Sequence, residues 1–245
     1  MVSENFEVIL ADDQWSRHIH HQLRYQVFCL ETGYEDPAQF PDGEEKDEWD
    51  DDAVHFLVQE RGSGQWVAAM RLVLPSAQHL PIEKRVPIEA SLRHDRRHCA
   101  EVSRLCMVGH YRRRLQGRIM PCDSSLSGSN RIASGIQSEA AKQQRTAEIL
   151  QVLLKAAVTV SCERAIAYCY MLTTRALAKI ASYVLPMDMQ MAGPACSHRG
   201  ERYPFLVDVG QVMMGLMEEL SQGVPTYRLH SEIAEAMPRR VVGGE

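Results

Sequence analysis

Apolar and polar positions divide the chain into short strands and longer helices. Phe6 to Leu10 alternates weakly and reads as a first strand. Ile19, Leu23, Val27 and Leu30 recur at helical spacing, which predicts a helix from about Trp15 to Leu30. Asp12 and Asp13 offer its N-cap, and Gly33 and Pro37 end it. Val54 to Glu60 and Gln65 to Leu74 are apolar and partly β-branched, and Arg61-Gly-Ser-Gly64 between them predicts a β-hairpin. Both faces of the second of these strands are apolar except at Arg71. After a connection over 75–100 punctuated by Pro75, Pro81 and Pro87, Glu101 to Val108 reads as a buried strand. Residues 118–136, rich in Ser and Gly, read as a loop or inserted segment. Gln137 to Arg164 then gives a long helical pattern, with Ile149, Val152, Leu153, Ala156, Ala157 and Val160 on one side. A strand (Ala165 to Met171), a helix capped by Thr173 or Thr174, a short strand (Met187 to Met191), a strand (Arg202 to Val209) and a helix (Gln211 to Leu220) follow. The order predicts an α/β (α+β) chain: a mixed sheet with helices on both faces. Without an internal repeat or linker, we expect one domain over 1–245, with its core at about 5–210, a helix at 210–221 and a tail at 222–245 that is disordered at its end.

Composition narrows the class. With 45% hydrophobic and 24% charged residues, the 245-residue chain is of ordinary globular make-up. No apolar run approaches the roughly 20 residues of a membrane helix, so no stable membrane insertion is expected. The polar start Met-Val-Ser-Glu-Asn-Phe-Glu does not read as a signal peptide. The seven cysteines lack metal-type C-x-x-C spacing, and Cys29, Cys106, Cys162 and Cys169 read as small buried hydrophobes. A reducing cytoplasm is the consistent compartment, and no metal is expected. The net charge of −5 argues against a nucleic-acid partner. Residues 42–52 hold eight carboxylates among eleven positions, so most of that segment reads as solvated loop, with Trp49 marking a side that packs.

The stretch Glu101-Val-Ser-Arg104, Val108 and the basic turn around Arg112, Arg113, Arg114, Gly117 and Arg118 reads as a strand opening into a turn suited to binding phosphate. V-x-x-x-R-x-R-x-x-G there resembles the acyl-donor motif of GNAT-type N-acyltransferases, although Ile119 stands where that motif has a second small residue. Three further segments carry a more specific resemblance. Arg24-Tyr-Gln-Val-Phe28 precedes Asp47-Glu-Trp-Asp50, then His55 at a strand start and Met70-Arg71-Leu72, and finally Glu101-Val-Ser-Arg104. The series R-x-x-V-F, D-x-aromatic-D, R-L and E-x-S-R resembles the acyl-homoserine-lactone synthases and their relatives, the N-acyl amino acid synthases. It is most similar to the acyltransferases associated with PEP-CTERM/exosortase systems, whose G-P…G-x-R-x-P pattern is matched by Gly193-Pro194 and by Gly200 to Pro204.

The resemblance implies a GNAT-like, mostly antiparallel twisted sheet. It implies transfer of an acyl group, expected to be long-chain, from an acyl-carrier-protein or CoA thioester to the amine of an amino acid or related small molecule. Glu101 is the candidate general base, because a carboxylate opening an apolar strand needs a reason to be there. Ser103 and Arg104 join it as candidate catalytic residues. Alternation puts Glu101 and Arg104 on opposite faces, so one shared site would require a β-bulge between them. Arg24, Phe28, Asp47, Trp49, Asp50, Arg71 and His55 are candidates for the acceptor site, with Asp47 and Asp50 offered to an ammonium group and His55 as an alternative base. Val108, Arg112, Arg113, Arg114, Gly117 and Arg118 are candidates for the donor site. The competing readings are an acyl-homoserine-lactone synthase, an acetyl-CoA-dependent GNAT and a catalytically silent acyl-binding domain.

Overall fold

The computed structural model describes residues 3–109, 111, 129–221, 223 and 225–236. The basic turn at Arg112, Arg113, Arg114, Gly117 and Arg118, the residues 118–128 read as loop, and the C-terminal end from 237 lie outside the described residues. The strands are β1 (Phe6–Leu10), β2 (Ala53–Glu60), β3 (Trp66–Val73), β4 (Cys99–Met107), β5 (Tyr168–Thr173), β6 (Gln190–Met191), β7 (Cys196–Ser197), β8 (Glu201–Asp208) and β9 (Arg228–Leu229). The helices are α1 (Gln14–Tyr25), α2 (Ser129–Glu163), α3 (Arg175–Val184), α4 (Val209–Leu220) and α5 (His230–Ala236).

The strands lie in the order β6-β8-β5-β4-β3-β2-β1-β9, with β7 beside β8. Neighbours are antiparallel except β4 with β5 and β1 with β9. The expected mixed, mostly antiparallel sheet is therefore present. β2 and β3 form the expected hairpin, and β3 is buried along nearly its whole length, which is why its pattern is apolar on both faces. α2 packs across β1, β2 and β3 and also meets α3 and α4, whereas α1 contacts β2 and β3. His20 of α1 meets His55 of β2 edge-on, with ring centroids 4.6 Å apart, so α1 covers the face that carries His55.

Several local readings change. The first helix is α-helical only to Tyr25, because Gln26–Glu31 widens into a π-helical turn closed by Thr32 N–H donating to the Val27 carbonyl at 3.1 Å. α2 begins at Ser129, inside the Ser/Gly-rich stretch read as loop. Helix propensity is a weak prior that neighbouring structure overrides. Cys162 is exposed rather than buried, while Cys29, Cys106 and Cys169 are buried as expected. β9 and α5 were not anticipated, since two residues of strand and seven of helix leave no readable period.

Gly193 has a steric reason to be glycine. A Cβ there would run into the backbone carbonyl of Pro87. The adjoining segments are bonded to each other, with Glu89 N–H donating to the Ala192 carbonyl at 2.9 Å, so neither can easily give way. Gly193→Ala is expected to destabilise the chain by roughly 1–3 kcal/mol, the usual overpacking range, read as a fall in the urea midpoint with an unchanged slope. A midpoint equal to that of the parent would show that the 87–90 segment relaxes freely.

Candidate active site

β4 organises the site because two things happen along it. The parallel ladder with β5 runs from Cys99–Tyr168 to Val102–Met171 and then stops, although β4 continues to Met107 and β5 to Thr173. Past Val102 the two strands part. On its other side, β4 pairs Ser103 with Arg71 and Cys106 with Ala69, so Arg104 and Leu105 together face the single residue Met70. This is the β-bulge that a shared site for Glu101 and Arg104 requires. Arg104 takes up the slack at φ +52°, a left-handed conformation that costs a β-carbon residue about 1–3 kcal/mol. Its side chain is thereby turned toward the acidic loop.

Three guanidiniums meet three carboxylates there. Arg24 is fully buried and donates from Nε to Glu45 at 2.5 Å and from both Nη atoms to Asp50 at 2.6 and 3.1 Å. Arg71, also fully buried, donates from Nη1 to Asp47 at 2.5 Å and to Asp50 at 2.7 Å, from Nη2 to Asp47 at 2.9 Å, and from Nε to Ser103 Oγ at 3.0 Å. Arg104 donates from Nε to Glu45 at 3.0 Å and from Nη2 to Asp47 at 2.7 Å. Burial alone would raise the Asp47 carboxyl, but the Arg71 hydrogen bonds and charge outweigh it and hold the pKa below the usual carboxylate value. Burial likewise opposes ionisation of Asp50, but Arg24 and Arg71 outweigh it and keep the group charged. Desolvation lowers the Arg104 guanidinium, partly offset by Glu45.

The acidic segment is thus not uniformly solvated. Glu45 and Asp50 are buried and Asp47 is half-buried, because each finds an arginine that repays desolvation. Asp42, Glu48 and Asp51 stay exposed. Asp47 and Asp50 were expected to face an acceptor ammonium; here their oxygens are taken by arginines, and Asp50 also accepts from the Asp47 backbone N–H at 2.7 Å. Their observed work is to fix Arg71 and Arg104. Trp49 borders them, with the Arg71 guanidinium carbon 6.0 Å from its ring. Its Nε1–H donates to the His79 carbonyl at 2.7 Å and Lys84 Nζ sits 4.8 Å from its ring, so it clamps the loop to the 75–98 connection. Phe28, in the π-helical turn, lies under Arg104 at 6.0 Å and Arg199 at 5.7 Å. Arg199 is itself paired with Glu35.

Glu101 is nearly fully buried, two residues before Ser103 on the same face of β4. Its Oε2 accepts the Ile82 backbone N–H at 2.6 Å, which ties β4 to the turn at Pro81–Lys84. Burial raises its pKa to about 8, with the Ile82 hydrogen bond and the charges of Arg71 and Arg104 pulling the other way. A carboxyl that changes charge near neutrality beside a strand opening is equipped for proton transfer. His55, the alternative base, points instead toward α1. Its Nε2 lies 2.9 Å from the Asp50 carbonyl, and burial lowers its pKa to about 4 against the opposing Asp50 charge. Val108 closes β4 with its N–H on the Val67 carbonyl at 3.0 Å. It borders an open groove of about 630 Å³ shared with Ile19, Leu23 and Trp66.

Sequence reasoning missed Glu45, which nothing distinguishes from its seven acidic neighbours before Arg24 and Arg104 are seen to converge on it. It also missed Glu35 with Arg199, which are separated by over 160 positions. His20 and His21 were passed over because the helical period was read from apolar residues alone.

Residues 23–120 match the model of the acetyltransferase (GNAT) domain. A search among curated proteins finds no match. Among solved structures, the chain is similar to the CoA-dependent acyl-homoserine lactone synthase BjaI with SAM and isopentyl-CoA, at 19% identity and a TM-score of 0.60 over 92% of each chain. It is similar to TofI in a ternary complex with an inhibitor and MTA, at 19% identity and a TM-score of 0.58 over 86% of this chain and 96% of that one. It is similar to the AHL synthase LasI, at 16% identity and a TM-score of 0.55 over 88% of this chain and 96% of that one. Residues 23–120 thus match an acetyltransferase (GNAT) domain, and the chain has a GNAT-like fold, shared with these solved structures.

Proposed function

We propose that the chain is an N-acyltransferase that moves a long-chain acyl group from an acyl-carrier-protein or CoA thioester to the amine of an amino acid or related small molecule. The observation that carries this reading is the parting of β4 from β5 immediately after Glu101 and Val102. It leaves the β4 backbone from Ser103 onward without a β5 partner, so the polar groups on that side, away from β3, can bond a pantetheine arm and the thioester carbonyl. In this reading Glu101 takes a proton from the ammonium acceptor, directly or through one water. The neutral amine attacks the thioester carbon, β4 N–H groups hold the oxyanion, and the C–S bond breaks to give an amide and a thiol. Arg71 and Arg104, held by Asp47, Asp50 and Glu45, position Ser103 and orient an acceptor carboxylate.

The motif series supports a place beside the PEP-CTERM/exosortase-associated acyltransferases, one domain over 1–245, and a cytoplasmic setting. The six described cysteines are all free, which fits a reducing compartment. Among the described residues, no helix is long and apolar enough to cross a membrane. A second reading, an acyl-homoserine-lactone synthase, is favoured by the likeness to BjaI, TofI and LasI. One assay separates the two. The purified chain is incubated with acyl-CoA and acyl-carrier-protein donors of several lengths against amino acids or SAM, and products are read by mass spectrometry. An acylated amino acid supports the first reading and a lactone the second. Acyl transfer to neither, with intact donor binding, would favour a silent acyl-binding domain.

Arg112, Arg113, Arg114 and Arg118 form the donor dock in this proposal, since clustered cations steer an acidic carrier protein or nucleotide phosphates. Reversing Arg113 and Arg114 to Glu should raise the donor KM several-fold at low salt and leave the acceptor KM unchanged. An unchanged donor KM would remove the turn from donor binding.

A further inference from the structure

We propose that His20, His21 and His55 form a binding site for a divalent transition-metal ion, zinc by preference, that ties α1 to β2. One ligand nitrogen from each ring lies within 4.8 Å of the others. His20 Nδ1, His21 Nε2 and His55 Nδ1 are all buried without a hydrogen-bond partner. His20 and His55 are almost completely buried, and the His21 side chain is 12% exposed although its Nε2 is buried.

The remaining nitrogens show which form each ring takes. His20 Nε2 lies 3.1 Å from the Met70 carbonyl and His55 Nε2 lies 2.9 Å from the Asp50 carbonyl. A carbonyl only accepts, so those nitrogens carry the protons and each Nδ1 presents a lone pair. His21 Nδ1 faces Glu44 Oε2 at 3.5 Å, which leaves Nε2 as its free lone pair. Two carbonyls and a carboxylate behind three imidazoles are the outer partners that orient metal-binding histidines. His20 and His21 are consecutive on α1, so their side chains leave the helix about 100° apart. They converge because one offers its near nitrogen and the other its far one.

Other occupants fit less well. Protonation is disfavoured, because burial, together with the charge of Arg24, lowers the pKa of His20 and of His21. A single water has two O–H donors and can satisfy two of the three lone pairs, leaving one buried acceptor orphaned at about 1–3 kcal/mol. A cation accepts all three. Zinc–imidazole bonds of about 2.0–2.1 Å set nitrogens roughly 3.3 Å apart, a contraction that small ring rotations supply. The charge environment permits it. Arg24 is matched by Glu45 and Asp50, and Glu44 beside His21 adds a further carboxylate, shared with His18 and Lys46. Three imidazoles leave a fourth position open.

The test is direct metal binding by the full chain. Chelator-treated protein is titrated with zinc chloride alone by calorimetry and with cobalt(II) by visible absorption. We expect one zinc per chain, a cobalt spectrum of tetrahedral nitrogen ligation, and a melting temperature that rises with zinc and falls with chelator. His21→Gln, at the accessible position, should weaken zinc binding by about 100-fold or more and abolish the thermal response. His18→Gln, on the neighbouring exposed histidine, should do neither. No binding at millimolar zinc would overturn the site. So would zinc binding unchanged in His21→Gln, or a sulfur-to-cobalt charge-transfer band assigning the ion to cysteine. If His21→Gln fails to fold, the cobalt spectrum of the unaltered protein still decides between nitrogen and sulfur.

Discussion

Glu101→Gln is expected to lower kcat by about 10²–10⁴-fold while leaving donor binding nearly intact. Glutamine keeps the shape, and its amide oxygen can still accept the Ile82 N–H, but it cannot take a proton from an ammonium acceptor. With a pKa of about 8, Glu101 is mostly protonated at neutral pH, so the rate in the parent should climb tenfold per pH unit and level off near pH 8. The same shift predicts the stability. The folded-state pKa lies above the ordinary value of 4.5, so the native chain holds this proton more tightly than the unfolded chain does. Stability from this group is fully present below about pH 4.5 and is lost as pH rises toward 8, by up to about 5 kcal/mol. Glu101→Gln should therefore match or exceed the parent in melting temperature at pH 9 while having lost its activity. Near-parental kcat would remove Glu101 from the chemistry, and a lower melting temperature at every pH would make it a strand anchor.

The fold was legible where the period was long and apolar. The β2–β3 hairpin, the body of β4 and a threonine cap of α3, at the second of the two expected positions, follow from alternation, turn residues and N-cap chemistry. What stayed hidden depends on contacts distant in sequence. Alternation showed that Glu101 and Arg104 conflict, and that a bulge would reconcile them, but only pairing with β3 decides where the extra residue goes. Arg71 stood out as a cation in an apolar strand, and its burial bears out that contrast, yet its partners could not be chosen among eight carboxylates. The π-helical turn at Gln26–Glu31 has no composition signal, because its apolar residues also fit an α-helix. His55 was read as a strand-start residue, whereas its significance lies in two histidines of α1 that a one-dimensional pattern does not bring to it.

Arg24→Met is expected to destabilise the chain by about 3–5 kcal/mol, a fall in melting temperature on the order of 10 °C for a chain of this size. The side chains are similar in length, so packing is largely kept and the charge is the variable. Arg24 gives three hydrogen bonds to Glu45 and Asp50 with no exposure of its own. Removing it leaves Arg71 and Arg104 to serve Glu45, Asp47 and Asp50, one carboxylate too many in a site where Glu45 and Asp50 are buried. Burial lowers the guanidinium pKa and the two carboxylates more than reverse that, so the native state favours the charged form throughout the working pH range. The network predicts non-additivity. Glu45→Gln alone should be destabilising, because Arg24 and Arg104 both lose a charged acceptor. Combined with Arg24→Met it should cost less than the sum, by about 1–3 kcal/mol, since the surplus charge is then gone. Chemical denaturation of the two single variants and the double variant closes this cycle. Strict additivity, or a loss below about 1 kcal/mol in Arg24→Met, would mean that the loop is held by Trp49 and the 75–98 connection rather than by its ion pairs. Arg24→Lys should recover only part of the loss, because one ammonium cannot span Glu45 and both oxygens of Asp50 in the plane that the guanidinium occupies.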